Sequence, residues 1–151
     1  MAVWLAAKTV RLRRAGRRDL AAVQALATGV AAGRRTRFDR RLMADLGSDV
    51  YVAETSAPRV VGVLAVSYLR SLAAGRFVAV LDTLCAEPDH EALLGPMLAF
   101  AEARARRRGC RELIARPGVE DAAAGAALEA NGWGRRATLT RILPDAPGGA
   151  D

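Results

Sequence analysis

The sequence predicts an α+β fold with a mixed β-sheet, in the order β-α-α-β-β-β-α-β-α-β. Two apolar strands joined by a short turn predict a hairpin in the first half, and a strand–helix–strand unit predicts a parallel crossover in the second. A chain of 151 residues is long enough for one domain with its own hydrophobic core. We place this domain at residues 9–143, between an N-terminal extension at 1–8 and a flexible tail at 144–151.

The first half of the chain is predicted to begin with a strand and two helices. Thr9–Arg14 alternates apolar and basic residues, as a half-buried strand does. Asp19 is expected to cap a helix whose apolar residues have helical spacing, namely Leu20, Val23, Leu26, Ala27 and Val30. A second helix is predicted from Thr36 to Gly47, with Asp39 in a capping-box position.

Three strands are predicted to follow these helices. Asp49–Glu54 and Val60–Ser67 are apolar segments separated by a short turn, so we expect them to pair as a hairpin. Gly62, inside the second of these strands, indicates either a bulge or a close approach of another backbone. The third strand, Arg76–Leu84, is reached through the loop Leu69–Gly75.

An irregular loop and a long amphipathic helix come next. The loop is predicted at His90–Pro96, and Pro96 is expected to be the first residue of the helix. Gly109 is expected to end this helix, whose buried face would carry Met97, Leu98, Ala101 and Ala105. The remaining predicted elements are a strand, a helix and a strand: Glu112–Arg116, Ala122–Ala130 and Arg136–Ile142.

Composition narrows the function classes. The net charge of +7 suggests nucleic-acid binding. However, nearly all of the basic residues are arginines, and they occur in short clusters without interleaved aromatic residues. We therefore interpret the clusters as solvated helix faces and do not expect a nucleic-acid partner. No segment approaches the ~20 apolar residues of a membrane span or has the pattern of a signal peptide, so we expect a cytoplasmic protein. Cys85 and Cys110 match no metal-ligand spacing, so no metal site is predicted.

Five segments of the chain, of which the first two form one hairpin fragment, resemble, in the right order, the GNAT N-acetyltransferases over Val10–Leu143. The family's second and third strands resemble VYVAE and VVGVLAVS, and its fourth strand resembles LDTLCAEPDH. The end of its central helix resembles FAEARARRRGC, and its closing segment resembles ALEANGW. This resemblance implies a GNAT-like fold and transfer of an acyl group from acetyl-CoA, or another acyl-CoA, to an amine of a small molecule or peptide. It also implies that the protein could form a homodimer.

The resemblance places the cofactor where the fourth and fifth strands separate. The pantetheine arm would pair with the backbone of the fourth strand at Leu84, Cys85 and Ala86. Further cofactor contacts would come from the following loop and helix start, at His90, Leu94, Gly95 and Met97.

The loop that would hold the pyrophosphate departs from the family pattern R/Q-x-x-G-x-G/A. Glu91 falls near the basic position, and Ala92 and Leu94 fall near the glycines. Such a loop is interpreted as degenerate, because glycine lets a backbone approach a phosphate closely. The alternative function is therefore a GNAT-fold protein with a lost or redirected CoA site, acting as a binding module or catalysing another reaction in the same cleft.

Asp82 falls at the family's general-base position on the fourth strand. The residues alone equally allow an aspartate that accepts hydrogen bonds at a strand bulge. Leu128 stands where the family has a tyrosine that protonates the leaving thiolate, so that acid is absent. Cys85 lacks a histidine or cationic neighbour in sequence, and a buried strand thiol is preferred to a nucleophile. An acceptor site is predicted to be lined by Tyr68, Arg70 and Phe38, although Phe38 is also a candidate core residue.

Overall fold

A computed structural model describes residues 3–5, 9–28, 47–116 and 122–135 of the chain. Two predicted elements, the helix starting at Thr36 and the strand Arg136–Ile142, lie outside these residues. Phe38 and the predicted tail at 144–151 also lie outside them. None of the described helices is long and apolar enough to cross a membrane.

The described strands form one mixed sheet. The strands are β1 (Val3–Leu5), β2 (Val10–Arg14), β3 (Ser48–Thr55), β4 (Val60–Ser71), β5 (Arg76–Ala86) and β6 (Leu113–Ala115). The α-helices are α1 (Leu20–Thr28), α2 (Leu94–Arg107) and α3 (Ala122–Ala130), and 3₁₀ helices cover Arg17–Asp19 and Pro88–Leu93. The strand order is β1-β2-β3-β4-β5-β6. Neighbours are antiparallel except β5 and β6, which are parallel. The predicted hairpins, crossover and mixed sheet are therefore confirmed.

Helices cover both faces of the sheet. On the face that we call the α2 face, α2 and α3 pack over the main core, which includes Leu12, Leu64, Leu81, Met97 and Leu98. On the opposite α1 face, α1 packs against a smaller cluster that contains Val50, Val63 and Ala65. Side chains of a strand alternate between faces, which is why neighbours on β4 join different clusters. The predicted buried face of the long helix is confirmed, since Ala101 and Ala105 are also buried.

Two chain segments differ from the prediction near the N-terminus. Val3–Leu5 forms an edge strand paired with β2, so part of the expected extension at 1–8 belongs to the sheet. Asp19 ends a 3₁₀ turn instead of capping α1 directly. Its carboxylate accepts hydrogen bonds from the N–H of Gly16 at 2.7 Å and from the Arg13 guanidinium at 2.8 Å. Arg13 also donates to Glu54, so this arginine joins two buried carboxylates from different elements.

Gly62 has both of the features considered for it. The register of β3 and β4 shifts beside it, because Ala53 opposes Gly62 whereas Glu54 opposes Val60. A Cβ atom at Gly62 would lie 3.2 Å from the carbonyl oxygen of Cys85 and 3.4 Å from Sδ of Met97. The missing side chain therefore lets β4 lie close to both β5 and α2.

The segment between β5 and α2 is helical instead of irregular. Pro88–Leu93 is a 3₁₀ helix that leads directly into α2, which begins at Leu94. The prediction that Pro96 starts the helix is therefore wrong. Pro96 is the third residue of α2, where its missing N–H is tolerated because the first turn has no i−4 carbonyl to receive it. Gly109 follows α2 with φ of 77°, which confirms the predicted glycine stop.

Candidate active site

Strands β5 and β6 run together for only part of the length of β5. Their paired residues on β5 are Ala79, Val80 and Leu81, and the N–H of Arg116 donates to the carbonyl of Leu81 at 2.9 Å. Strand β5 continues to Ala86, whereas β6 ends at Ala115. Beyond Leu81, this edge of β5 therefore has no partner strand among the described residues.

The hydrogen bonds of β4 show which backbone groups face that open edge. The N–H of Glu87 donates to the carbonyl of Val61 at 2.9 Å. Alternate residues of an antiparallel strand direct their backbone groups to the same side, so Cys85 also faces β4. Leu84 and Ala86 consequently direct their N–H and C=O groups to the open edge. Of the three residues expected to pair with pantetheine, Leu84 and Ala86 have the required direction and Cys85 does not.

Asp82 lies at a bulge at the start of the open edge. Ala65 opposes Thr83 and Val66 opposes Leu81, which leaves Asp82 as an extra residue on β5. The bulge and the predicted general-base position therefore fall on the same residue. Its side chain is 35% exposed, so the carboxylate is accessible one residue past the last β5–β6 pair.

Arg116 and Thr83 hold the Asp82 carboxylate. Nε of Arg116 lies 2.8 Å from Oδ1 of Asp82, and the Thr83 hydroxyl donates to Oδ2 at 3.3 Å. The sequence analysis missed Arg116, which directly follows β6. The parallel register of β5 and β6 brings these two residues together, and no local sequence pattern indicates that register.

Several backbone N–H groups of the 3₁₀ helix and of the start of α2 donate hydrogen bonds to helical carbonyls. The N–H of His90 donates to the carbonyl of Glu87 at 2.8 Å, and the N–H of Leu94 donates to that of Glu91. Because α2 starts at Leu94, the N–H of Met97 reaches the preceding turn in the i−4 pattern of the helix. Buried Leu93 anchors the junction in the main core.

The same segment carries acidic side chains. Glu87 pairs with Arg59 of the β3–β4 turn at 3.0 Å. His90, predicted to contact the cofactor, lies beside Glu87 with Nδ1 at 3.7 Å from Oε2, which exceeds a hydrogen bond. Asp89 and Glu91 are exposed.

The other predicted cofactor residues occupy the core or a helix contact. The side chains of Leu94 and Met97 are buried in the main core. A Cβ atom at Gly95 would lie 3.6 Å from Nδ2 of Asn131, so this glycine lies near the end of α3. Leu128 of α3, at the position of the family's tyrosine, is buried as well. The described side chains therefore place no phenol there.

The two predicted acceptor residues that the structure describes, Tyr68 and Arg70, do not lie beside Asp82. Tyr68 is buried, and its hydroxyl donates to Asp49 at 3.0 Å. Burial and the charge of Asp49 raise the pKa of Tyr68 well above its usual range. Arg70 is exposed with its guanidinium 6.0 Å from the ring centre of Phe77. Arg70 lies four residues beyond Val66 of β4, which places it roughly 13 Å along the strand from the bulge.

Asp49 is the centre of a charged cluster that the sequence analysis missed. It is completely buried, and Nη2 of Arg104 donates to it at 3.0 Å. Nη2 atoms of Arg14 and Arg108 each lie 3.6 Å from its Oδ1. The i, i+4 spacing of Arg104 and Arg108 on α2 was the available signal, because it places both on one helix face. Tyr68 belongs to this cluster, with Arg108 4.4 Å above its ring.

A separate cavity of about 900 Å³ lies between α2, β6 and α3. Its lining includes Glu102, Cys110, Ile114 and Trp133. Burial raises the pKa of the Cys110 thiol, which keeps it protonated. Among the described residues, none of the predicted catalytic, cofactor or acceptor residues lines this cavity.

Several solved structures have the same architecture. An aminoglycoside 6'-N-acetyltransferase from Acinetobacter baumannii superposes with a TM-score of 0.74 at 14% identity, over 91% of this chain and 99% of that chain. A ribosomal-protein-alanine N-acetyltransferase from Brucella melitensis biovar Abortus 2308 gives 0.68 at 16% identity, over 89% and 98%. A transcriptional regulator from Bacillus halodurans C-125 gives 0.75 at 18% identity, over 89% and 99%. The chain has the GNAT acetyltransferase fold.

No family model matches the chain, and no curated protein matches it in sequence. The predicted GNAT-like fold is thus confirmed by three-dimensional structure. Identities of this size show the fold alone, because one fold serves proteins of different function. The chemistry of this GNAT-fold protein has to be argued from its own residues.

Proposed function

We propose that this GNAT-fold protein is an N-acyltransferase, which transfers an acyl group, acetyl in the simplest case, from an acyl-CoA to an amine. The amine would belong to a small molecule or a peptide. One observation carries the proposal: the partly exposed Asp82 lies at the start of an open strand edge formed by Leu84 and Ala86. Two of the structural neighbours are N-acetyltransferases, which supports the same class of reaction.

The open edge of β5 fits the pantetheine part of such a donor. Pantetheine contains two amides, and each offers an N–H and a C=O to a free strand edge, as an added strand would. From Leu81 to Ala86 the edge extends roughly 16 Å at about 3.3 Å per residue. The acidic 3₁₀ helix at the far end does not fit the nucleotide diphosphate in the manner of a glycine-rich loop, since the N–H of His90 and that of Leu94 already donate to carbonyls of the same segment.

Asp82 is the proposed general base. A bound thioester supplies an electrophilic carbonyl, and an attacking amine has to lose a proton. The exposed side of the Asp82 carboxylate is suited to accept that proton, directly or through water. Arg116 fixes the orientation of the carboxylate by holding Oδ1 at 2.8 Å. With Leu128 in the tyrosine position, the leaving thiolate would take its proton from solvent.

The substitution Asp82→Asn tests this role. We expect turnover of acetyl-CoA with an amine acceptor to fall about 100-fold, which is typical of losing a general base. The calorimetric Kd of acetyl-CoA should stay within about twofold, because the backbone edge is unchanged. Glu112→Gln is the matched control, since it neutralises an exposed carboxylate at the start of β6 and should leave turnover unchanged. Loss of acetyl-CoA binding in D82N would make Asp82 structural instead.

The alternative is a GNAT-fold protein whose site is lost or redirected. The acidic 3₁₀ helix at Pro88–Leu93 favours it. Under this alternative, calorimetry would detect no binding of an acyl thioester up to millimolar concentration. The predicted homodimer remains a prediction, which sedimentation equilibrium of the full chain would check.

A further inference from the structure

We propose that the acyl donor is recognised through its pantetheine arm alone, and that the 3₁₀ helix Pro88–Leu93 does not bind the nucleotide diphosphate. This inference rests on the proposed function and specifies its donor. The ligand class is an acyl-pantetheine thioester, whatever group the far end of the pantetheine carries.

The 3₁₀ helix Pro88–Leu93 and the start of α2 offer few backbone donors to a phosphate. A diphosphate binds a helix N-terminus through N–H groups that no carbonyl has taken. Here the N–H of His90 donates to Glu87, and the N–H of Leu94 donates to Glu91. Pro96 has no N–H at all. The continuous 3₁₀–α2 junction therefore replaces the open turn that would hold an anion.

Burial also fixes the junction between the 3₁₀ helix and α2. Leu93 and Leu94 are 3% and 2% exposed, and both pack in the main core. Unwinding the segment to free its N–H groups would withdraw these leucines from the core. The segment 88–94 also contains no glycine, so its side chains keep a phosphate away from the backbone.

The negative charge of the 3₁₀ helix also disfavours a diphosphate. Glu87, Asp89 and Glu91 lie on or beside the 3₁₀ helix, and Arg59 is the guanidinium that pairs with one of them, Glu87, at 3.0 Å. Three carboxylates and one guanidinium leave an excess of two negative charges. A diphosphate placed here would be repelled, whereas an uncharged pantetheine arm would not be.

The open edge of β5, in contrast, offers backbone hydrogen-bonding groups that suit an uncharged arm. Leu84 and Ala86 present backbone groups, and Asp82 lies at the point where β6 leaves β5. An arm lying from Asp82 toward Glu87 meets its amide partners before it reaches the acidic helix. Recognition by amide pairing alone needs no contact beyond Ala86.

Isothermal titration of the full chain with acetyl-CoA and with S-acetylpantetheine tests the inference. We expect the two Kd values to agree within about threefold, because the nucleotide contributes no contact. Adenosine 3',5'-bisphosphate should not compete with either. Acetyl-CoA binding more than about 30-fold tighter, or competition by the bisphosphate, would overturn the inference and leave the acyltransferase proposal standing. If neither thioester binds, both proposals fail.

A charge reversal provides an independent readout. Glu91→Arg is expected to tighten acetyl-CoA binding about threefold or more at low ionic strength, without changing the Kd of S-acetylpantetheine. Glu112→Arg makes the same charge change at an exposed residue that lies near Ala79, roughly 20 Å along β5 from Ala86. It should affect neither donor. An unchanged acetyl-CoA affinity in E91R, with a normal thermal unfolding curve, would contradict the charge argument.

Discussion

Replacing Asp49 with asparagine should reduce the free energy of unfolding by about 3 kcal/mol. Asp49 is completely buried and accepts hydrogen bonds from Tyr68 and Arg104, each at 3.0 Å. Both bonds end on Oδ2, so the carbonyl oxygen of asparagine can keep them, but without the negative charge that strengthens them, which costs about 2 kcal/mol. Three guanidiniums, those of Arg14, Arg104 and Arg108, then remain close together without their shared anion. Their partial exposure limits that repulsion to about 1 kcal/mol.

Tyr68→Phe is the matched variant for this cluster. It removes one hydrogen bond to Asp49 but leaves the carboxylate and its arginines in place. We expect a loss of about 1.5 kcal/mol, smaller than that of D49N. The double variant should be more stable than the sum of the single losses implies, because the Tyr68 bond that Y68F removes is already weakened in D49N.

Urea unfolding at neutral pH, followed by circular dichroism, measures these differences. For a domain of this size, 3 kcal/mol corresponds to a decrease of about 10 °C in the midpoint of thermal unfolding. A loss below about 1 kcal/mol in D49N would refute the argument that the carboxylate holds the three arginines together. A larger loss in Y68F than in D49N would show that the Tyr68 hydroxyl, and not the charge of Asp49, dominates the cluster.

Two further predictions concern the sheet. Hydrogen bonds from Arg13 and Arg11 lower the pKa of Glu54 from 4.5 to about 2. Stability from this group is therefore complete above about pH 4.5 and is lost as the pH falls toward 2, about 3 kcal/mol in all. Urea titrations between these pH values should show a flatter pH dependence in Glu54→Gln; an equal slope would contradict the assignment. Gly62→Ala should destabilise the protein by about 1 kcal/mol in urea unfolding, because its Cβ would crowd the Cys85 carbonyl at 3.2 Å. A more stable G62A variant would show that the strands can separate without loss.

Local patterns were sufficient for most of the described fold. The hairpin of β3 and β4 follows from two apolar strand segments and a polar turn, and burial confirms both strands. The buried face of α2 follows from helical spacing, and its end follows from Gly109 at positive φ. These features depend on residues close together in the chain, so the sequence alone contains the necessary information.

The details of the candidate active site were only partly predictable. Asp82 and the strand edge at Leu84 were found through the family resemblance. The direction of the backbone groups, and the pairing of Asp82 with Arg116, depend on the bulge and on the parallel register of β5 with β6. A register is a contact between distant segments, and a shift of one residue reverses the side that each group faces.

Sequence patterns predicted the mixed sheet, the order along the chain of its strands from Val10 onward and the buried face of the long helix, but not the edge strand Val3–Leu5. Periodicity and turn residues act locally, and they point to the same elements that the sheet contains. Only the tertiary structure decided that Pro88–Leu93 is helical and that Asp49 collects three arginines. Both features depend on burial. Packing of Leu93 and Leu94 in the core holds the helical segment in place, and a carboxylate buried away from water requires cations from other elements.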